Sequence, residues 1–294
     1  MDIQLMLTGL LGFFWGGFTA PISIRLAYDY QIMDLPDRRK IHEERTPRGA
    51  GLGLWAGYLL WSLYFVSGMP DVRYSATAAT LVFLGGYVDD MKSVSPFIRL
   101  AIHLFAAGLV VFTSPLSFFS KVVCLFWITG TTSAYNFIDG VNGLCISVFM
   151  ASALAICLVG HYPFGVAAAA TALGVLCWNF PMAQTFLGDG GSTLLGFLFT
   201  SHFVMDGMPV LAKADLHEMI LLFLLWGGVP VLDTLIAFSR RIMRGHSPFY
   251  PDKRHLHHLL IERTRSHLAA VLCLLLLHAL ILSCGVAVYA KLRS

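Results

Sequence analysis

Apolar runs of bilayer-spanning length recur along the chain, near 4–26, 51–68, 74–88, 97–114, 119–136, 143–160, 162–180, 191–208, 217–237 and 268–289. A helix needs about 17–25 predominantly apolar residues to cross the hydrocarbon core, and these runs are of that order. The pattern predicts an all-α polytopic membrane protein with about ten transmembrane helices. Asp2 precedes the first run, with neither a basic leader nor a small-residue cleavage site, so this segment reads as a retained helix rather than a signal peptide.

Composition agrees. Hydrophobic residues make up 57% of the 294 and charged residues 13%, with a mean hydropathy of +0.72. Ordinary soluble domains are about 45–50% apolar, so that class is excluded. The six cysteines all sit in apolar segments without close pairing, which suggests neither a disulfide framework nor a zinc ribbon. Without a repeat or a hydrophilic module, residues 1–294 read as one integral membrane domain. A net charge of +3 gives no reason to expect a nucleic-acid partner.

The placement of charge tells more than its total. With ten spans, segments 27–50, 89–96, 137–142, 181–190 and 238–267 share one side and hold most of the Lys and Arg, including Arg38, Arg39, Lys40, Arg240, Arg241 and Arg244. Lys/Arg excess marks the cytoplasmic face, so both termini are expected outside. The same parity brings five polar strings to that face: "PDRRKIHEERTPRGAG" (36–51), "GGYVDDMKS" (85–93), "SAYNFIDGVNGL" (133–144), "WNFPMAQTFLGDGGS" (178–192) and "RRIMRGHSPFYPDKRHLHHLL" (240–260). Outer loops such as "GMPDVRY" (68–74) are short and bland. One composite active site at the cytoplasmic membrane surface is the expected architecture.

Carboxylates there are Asp89, Asp90, Asp139, Asp189 and Asp252. Ionisable groups at membrane depth are costly and are usually paired or functional. Oxygen ligands suit a hard cation such as Mg²⁺, which takes one or two carboxylates together with waters and substrate phosphates. The bland alternative is that each caps a helix or pairs with Lys92, Arg99 or Arg254. "FLGDGGS" leads into a helix expected near Ser192; it could let a phosphate approach a helix N-terminus, or simply make a turn. Asn136 and Asn142 of "NFIDGVNG" could likewise only satisfy a turn.

His255, His257 and His258 follow Asp252, Lys253 and Arg254 in an arginine-rich run. Zn²⁺ is one ligand for such a set, but the basic neighbours disfavour a cation and suit a polyanion, a pyrophosphate in particular. His42 joins the same patch, whereas His103, His161, His202 and His278 lie in or near apolar segments and read as packing or interfacial. Trp55, Trp61, Trp127, Trp178 and Trp226 read as interface anchors or core. Asp233 is expected to pair structurally with Arg240.

Taken in order, these strings resemble the polyprenyl-phosphate N-acetylhexosamine-1-phosphate transferases, the glycosyltransferase 4 type that includes the phospho-MurNAc-pentapeptide translocase. The similarity covers nearly the whole chain, and the aspartate before His-x-His-His is closest to the GlcNAc-1-phosphate branch. The resemblance implies Mg²⁺-dependent (alternatively Mn²⁺-dependent) transfer of a sugar-1-phosphate from a UDP-N-acetylhexosamine to undecaprenyl phosphate, releasing UMP. GlcNAc is the first expectation for the sugar, with GalNAc, QuiNAc and FucNAc as alternatives. It also implies a bacterial inner membrane location and a homodimer. By the same resemblance, Asp189 is a direct metal ligand, with Asp89 and Asp90 beside the metal and one of them orienting or deprotonating the lipid phosphate. Asn136, Asp139 and Asn179 match nucleotide-recognition positions; His255, His257 and His258 match the pyrophosphate-binding motif; Lys40, Arg48 and Arg99 are further phosphate-binding candidates. Asn142 stands where several relatives carry a second aspartate and is left out of the metal set. Metal-assisted positioning suffices for phosphoryl transfer, which favours direct attack by the lipid phosphate over an aspartyl-phosphate route. A secondary transporter is the rival class; it calls for mid-span carboxylates and an inverted repeat, and neither is evident.

Overall fold

The computed structural model describes residues 3–34, 45–65, 70–158, 160, 162–247 and 254–294. Lys40, His42, His161, Asp252 and Lys253, singled out above, lie outside the described residues. The helices are α1 (Ile3–Asp29), α2 (Gly51–Phe65), α3 (Pro70–Met91), α4 (Pro96–Phe112), α5 (Phe118–Ile138), α6 (Leu144–Ile156), α7 (Tyr162–Asn179), α8 (Gly188–Leu211), α9 (Leu216–Met243), α10 (Leu256–Thr264) and α11 (His267–Arg293). Ten of them coincide with the predicted apolar runs; α10 lies inside the histidine string, where no apolar run announces it. Two short strands, β1 (Met33–Asp34) and β2 (Thr46–Pro47), pair antiparallel with Asp34 opposite Thr46. By length and composition α1, α8, α9 and α11 can cross a membrane, and α2, α4, α6 and α7 are apolar but shorter. The architecture is that of an all-α membrane protein.

α8 is the axis of the bundle. Most of its apolar stretch, 78%, is buried inside the protein, against 22% for α1. It touches α2, α3, α4, α5, α6 and α11. Small residues permit this, because between helices in lipid close backbone packing replaces the hydrophobic drive. A Cβ on Gly191 would stand 2.9 Å from Gly51 Cα on α2, and one on Gly190 would stand 3.0 Å from the Tyr87 amide on α3. The tryptophans tie helices together: Trp127 stacks on Phe223 at 4.3 Å, and Trp178 donates to the Gly17 carbonyl at 3.1 Å.

α9 is broken at Gly228 (φ 55°, ψ −144°), two residues before Pro230. The Val229 amide freed by the break donates to His278 Nδ1 at 3.3 Å. The other ring nitrogen meets Ser152 Oγ at 3.0 Å, which in turn meets the Tyr135 hydroxyl at 3.0 Å. Non-helical backbone at membrane depth has to be satisfied by neighbouring side chains. That explains a fully buried histidine in an otherwise apolar helix. His103 similarly meets Ser133 Oγ at 3.1 Å, and His202 stacks on Phe164 at 3.7 Å.

Candidate active site

The described parts of the polar strings converge at one end of the bundle. The C-terminal turn of α3 brings Asp89 and Asp90, the end of α5 brings Asn136 and Asp139, and the start of α8 brings Asp189. Here the observed helix begins at Gly188, one turn earlier than Ser192, so Asp189 stands in its first turn. Asp90 explains the early start. Its carboxylate accepts from the Asp189 amide at 2.9 Å and the Gly190 amide at 3.1 Å, capping α8 across the helix interface. Its side chain is fully buried and also accepts from Arg48 Nη1 at 3.3 Å. The glycine-rich string therefore does two local jobs: it lets α8 approach α2 and α3, and it offers amides that Asp90 occupies. Gly188 adopts φ +72° and would place a Cβ 2.3 Å from Asp90 Oδ2.

Asp89 and Asp189 share one cation. Arg99 Nη1 donates to Asp89 Oδ2 at 2.7 Å and to Asp189 Oδ2 at 3.1 Å. Asp89 also accepts from the Val94 amide at 2.5 Å, which fixes the α3–α4 turn. Arg48, just after β2, pairs with Asp34 of β1 as well as with Asp90. The hairpin thus acts as a strap, carrying one cation and one carboxylate over the end of α8. Among the described residues, no group of three or more His, Cys, Asp or Glu side chains is spaced to hold a metal ion.

A cavity of about 360 Å³ opens beside these carboxylates, lined by Asp34, Arg48, Asn136, Asp139, Asn179, Asp189, His258 and His267 among others. Small-molecule sites are typically about 300–1,000 Å³. Asn136 Oδ1 accepts from Ser192 Oγ at 3.0 Å, so α5 and α8 are joined at the cavity floor. Burial holds the Asp139 carboxyl well above the usual range, reinforced by the carboxylates of Asp189 and Asp90 and opposed by Arg48. Asn179 is buried. Its Oδ1 accepts from the Gly143 amide at 2.7 Å and its Nδ2 donates to the Thr185 carbonyl at 2.9 Å, tying the α5–α6 and α7–α8 loops together. Asn142 Nδ2 donates to the Pro181 carbonyl at 3.2 Å.

Of the three histidines, only His258 lines this cavity. His255 and His257 are buried behind it. His257 packs against the α5–α6 turn, where a Cβ on Gly140 would be 2.7 Å from its Nε2. Removal from water pushes its pKa down to about 3, with His258 adding to the effect. His255 Nδ1 lies 2.8 Å from Asp233 Oδ2. That corrects the expected Asp233–Arg240 pairing: Asp233 turns its carboxylate to the histidine string. Sequence reasoning also passed over Asp34 and His267. Asp34 carried a weak signal, an acid a few residues ahead of the basic string 38–45; His267 carried none beyond lying in a basic stretch.

The glycosyl transferase family 4 model matches residues 72–206, the span from α3 to α8 that supplies Asp89, Asp90, Asp139 and Asp189. The chain is 30% identical to the probable undecaprenyl-phosphate N-acetylglucosaminyl 1-phosphate transferase of Bacillus subtilis, over 87% of this chain and 77% of that one. It is 30% identical to the decaprenyl-phosphate N-acetylglucosaminephosphotransferase of Mycolicibacterium smegmatis, over 93% and 79%. It is 28% identical to the undecaprenyl-phosphate alpha-N-acetylglucosaminyl 1-phosphate transferase of Escherichia coli K12, over 89% and 78%. None of these relatives is a transporter. With the described parts of its polar strings gathered at one end of a helical membrane bundle, the chain belongs to the polyprenyl-phosphate N-acetylhexosamine-1-phosphate transferases of glycosyl transferase family 4.

Proposed function

We propose that this protein transfers GlcNAc-1-phosphate from UDP-GlcNAc to undecaprenyl phosphate, giving undecaprenyl-pyrophosphate-GlcNAc and UMP, and so begins a cell-envelope polysaccharide. The observation that carries the reading is the 360 Å³ cavity, lined by an arginine, two histidines and the three carboxylates Asp34, Asp139 and Asp189. Relatives covering most of the chain are named for this transfer. The acceptor is a membrane lipid and the donor is water-soluble, so the polar end of the bundle is read as the cytoplasmic end. The Lys/Arg excess of the sequence segments at that end, with the ten spans expected from the sequence, supports that orientation.

Asp89 and Asp189 are the residues that would hold Mg²⁺. A cation already bridges their Oδ2 atoms in the form of Arg99. Mg²⁺ typically takes one or two carboxylates and completes its shell with water and substrate phosphates, so this pair suits it without a third protein ligand. When bound, the ion would neutralise charge on the pyrophosphate as the transfer proceeds. Asp90 is committed to α8 and fixes where Asp189 stands. In the reaction, a lipid phosphate oxygen forms a bond to the sugar-linked phosphorus as the bond from that phosphorus to the UMP oxygen breaks. Arg48 and His258 face the phosphates, while Asn136 and Asp139 face the nucleotide side of the cavity. Asn179 acts by holding the two loops that form its wall. Lys40 belongs to the same set by resemblance.

The test is UMP release by purified protein in detergent with undecaprenyl phosphate, Mg²⁺ and a panel of UDP-N-acetylhexosamines, with Asp189→Asn as control. Release that requires lipid, Mg²⁺ and Asp189 and is fastest with UDP-GlcNAc is expected. Release without lipid acceptor would overturn the reaction, and a faster UDP-GalNAc reaction would overturn the sugar.

A further inference from the structure

α10 sits on α9 through a buried three-part contact. Asp233 and Arg241 are two helical turns apart on one face of α9, and both are buried. They bracket the imidazole of His255: Asp233 Oδ2 lies 2.8 Å from Nδ1, and Arg241 Nη2 lies 3.4 Å from Nε2. Because a guanidinium only donates, Nε2 is the acceptor and Nδ1–H donates to Asp233. The second Asp233 oxygen accepts from the Leu256 amide at 2.9 Å, the first amide of α10. His255 is the N-cap residue of that helix and makes no capping bond with its own side chain. Asp233 supplies the missing cap from another helix. One carboxylate thus fixes both the tautomer of His255 and the first turn of α10.

That turn carries the remaining histidines. The His257 ring lies nearly parallel to His255 (6°, centroids 5.8 Å apart) and seats against Gly140. His258 follows with its centroid 4.2 Å from that of His257 and reaches the cavity. A continuous packed path therefore runs from Asp233 to the cavity wall.

We infer that Asp233 is a positioning residue for the donor site: with Arg241 it clamps His255, sets the first turn of α10 and so holds His258 against the donor's phosphates. It touches neither substrate. The inference rests on the proposed reading only in taking the cavity as the donor site.

Replacing a carboxylate that orients a metal-bound histidine typically costs about 10–100-fold, and a loss of the same order is expected for this orienting contact. Asp233→Asn is expected to lower kcat/KM for UDP-GlcNAc by that factor, mainly through the donor KM, and to leave the undecaprenyl phosphate KM unchanged. His255→Gln should match it, and the double variant should be no worse than either single. In a His258→Ala background, Asp233→Asn should change the donor KM less than twofold. A second readout needs no activity. Hydrogen exchange of the full-length protein in detergent should speed up at α10 amides in Asp233→Asn, while α8 amides keep their wild-type rates. Multiplying single-variant effects, an equal loss with lipid and donor, or unchanged α10 exchange would overturn the inference. If wild type releases no UMP, the proposed reaction falls instead, and α10 exchange alone decides whether Asp233 holds the helix.

Discussion

Gly188 is the position where the early start of α8 is most exposed to a single substitution. In Gly188→Ala, the residue must keep φ near +72° with a Cβ attached, which costs roughly 1–2 kcal/mol for an L-residue. The same Cβ would lie 2.3 Å from Asp90 Oδ2, a separation no relaxed contact tolerates, so the carboxylate must leave the Asp189 and Gly190 amides. Loss of a capping carboxylate costs about 0.5–2 kcal/mol. Together the change should destabilise the protein by about 1.5–4 kcal/mol and swing Asp189 out of line with Arg99. The assay is thermal unfolding in detergent beside UMP release, with Gly130→Ala as control. Gly130 lies within α5 with nothing within 4 Å of a built Cβ, so the control should be neutral or gain up to about 1 kcal/mol of helix propensity. Gly188→Ala should lose nearly all activity even well below its unfolding temperature. If it unfolds within about 0.5 kcal/mol of wild type and keeps its activity, Asp90 does not order the head of α8 as described.

Asn179→Ala removes a buried amide that serves two backbone groups. Leaving them unpaired should cost about 2–4 kcal/mol, seen as a lower unfolding temperature without any ligand; a purely nucleotide-binding asparagine would show no such loss. Arg99→Gln strips the cation shared by Asp89 and Asp189. The variant should unfold earlier in EDTA than wild type and recover more with added Mg²⁺; equal shifts would argue against metal at that pair. His257 is held near pKa 3 in the folded protein against 6.5 in the unfolded chain, so the unfolded chain takes up the proton first as pH falls. Its stability contribution is present above 6.5 and shrinks by up to about 1.4 kcal/mol per pH unit towards 3. Between pH 7 and 4.5, wild type should therefore lose about 2–3 kcal/mol more than His257→Gln in chemical denaturation, and parallel curves would refute the burial argument.

Much of this site is legible in the amino-acid sequence, for a physical reason. In lipid, apolar runs must be helices and polar strings must gather at their ends, so counting spans assigns Asp89, Asn136, Asp139, Asp189 and the histidine string to one end of the bundle. Parity says nothing about which partner each side chain meets there. The aspartates in "VDD" are adjacent in sequence, yet they separate completely: Asp90 turns inward to the amides of α8 and Asp89 outward to Arg99. Helical geometry places neighbours about 100° apart, so only the position of α8 decides which of the two becomes the cap. The bland expectation for aspartates, capping and pairing, and the functional one prove compatible, because capping by Asp90 is what puts Asp189 in place beside Asp89. The histidines divide in the same way. His258 lines the cavity while His255 and His257 are buried, and the residue that pairs with His255, Asp233, lies in an apolar helix 22 positions earlier. From sequence it offered a lone buried acid and an arginine partner on its own helix. The return of the chain through α10 supplies the better one: a histidine that can donate to the carboxylate and accept from Arg241 at once, which a second guanidinium could not do.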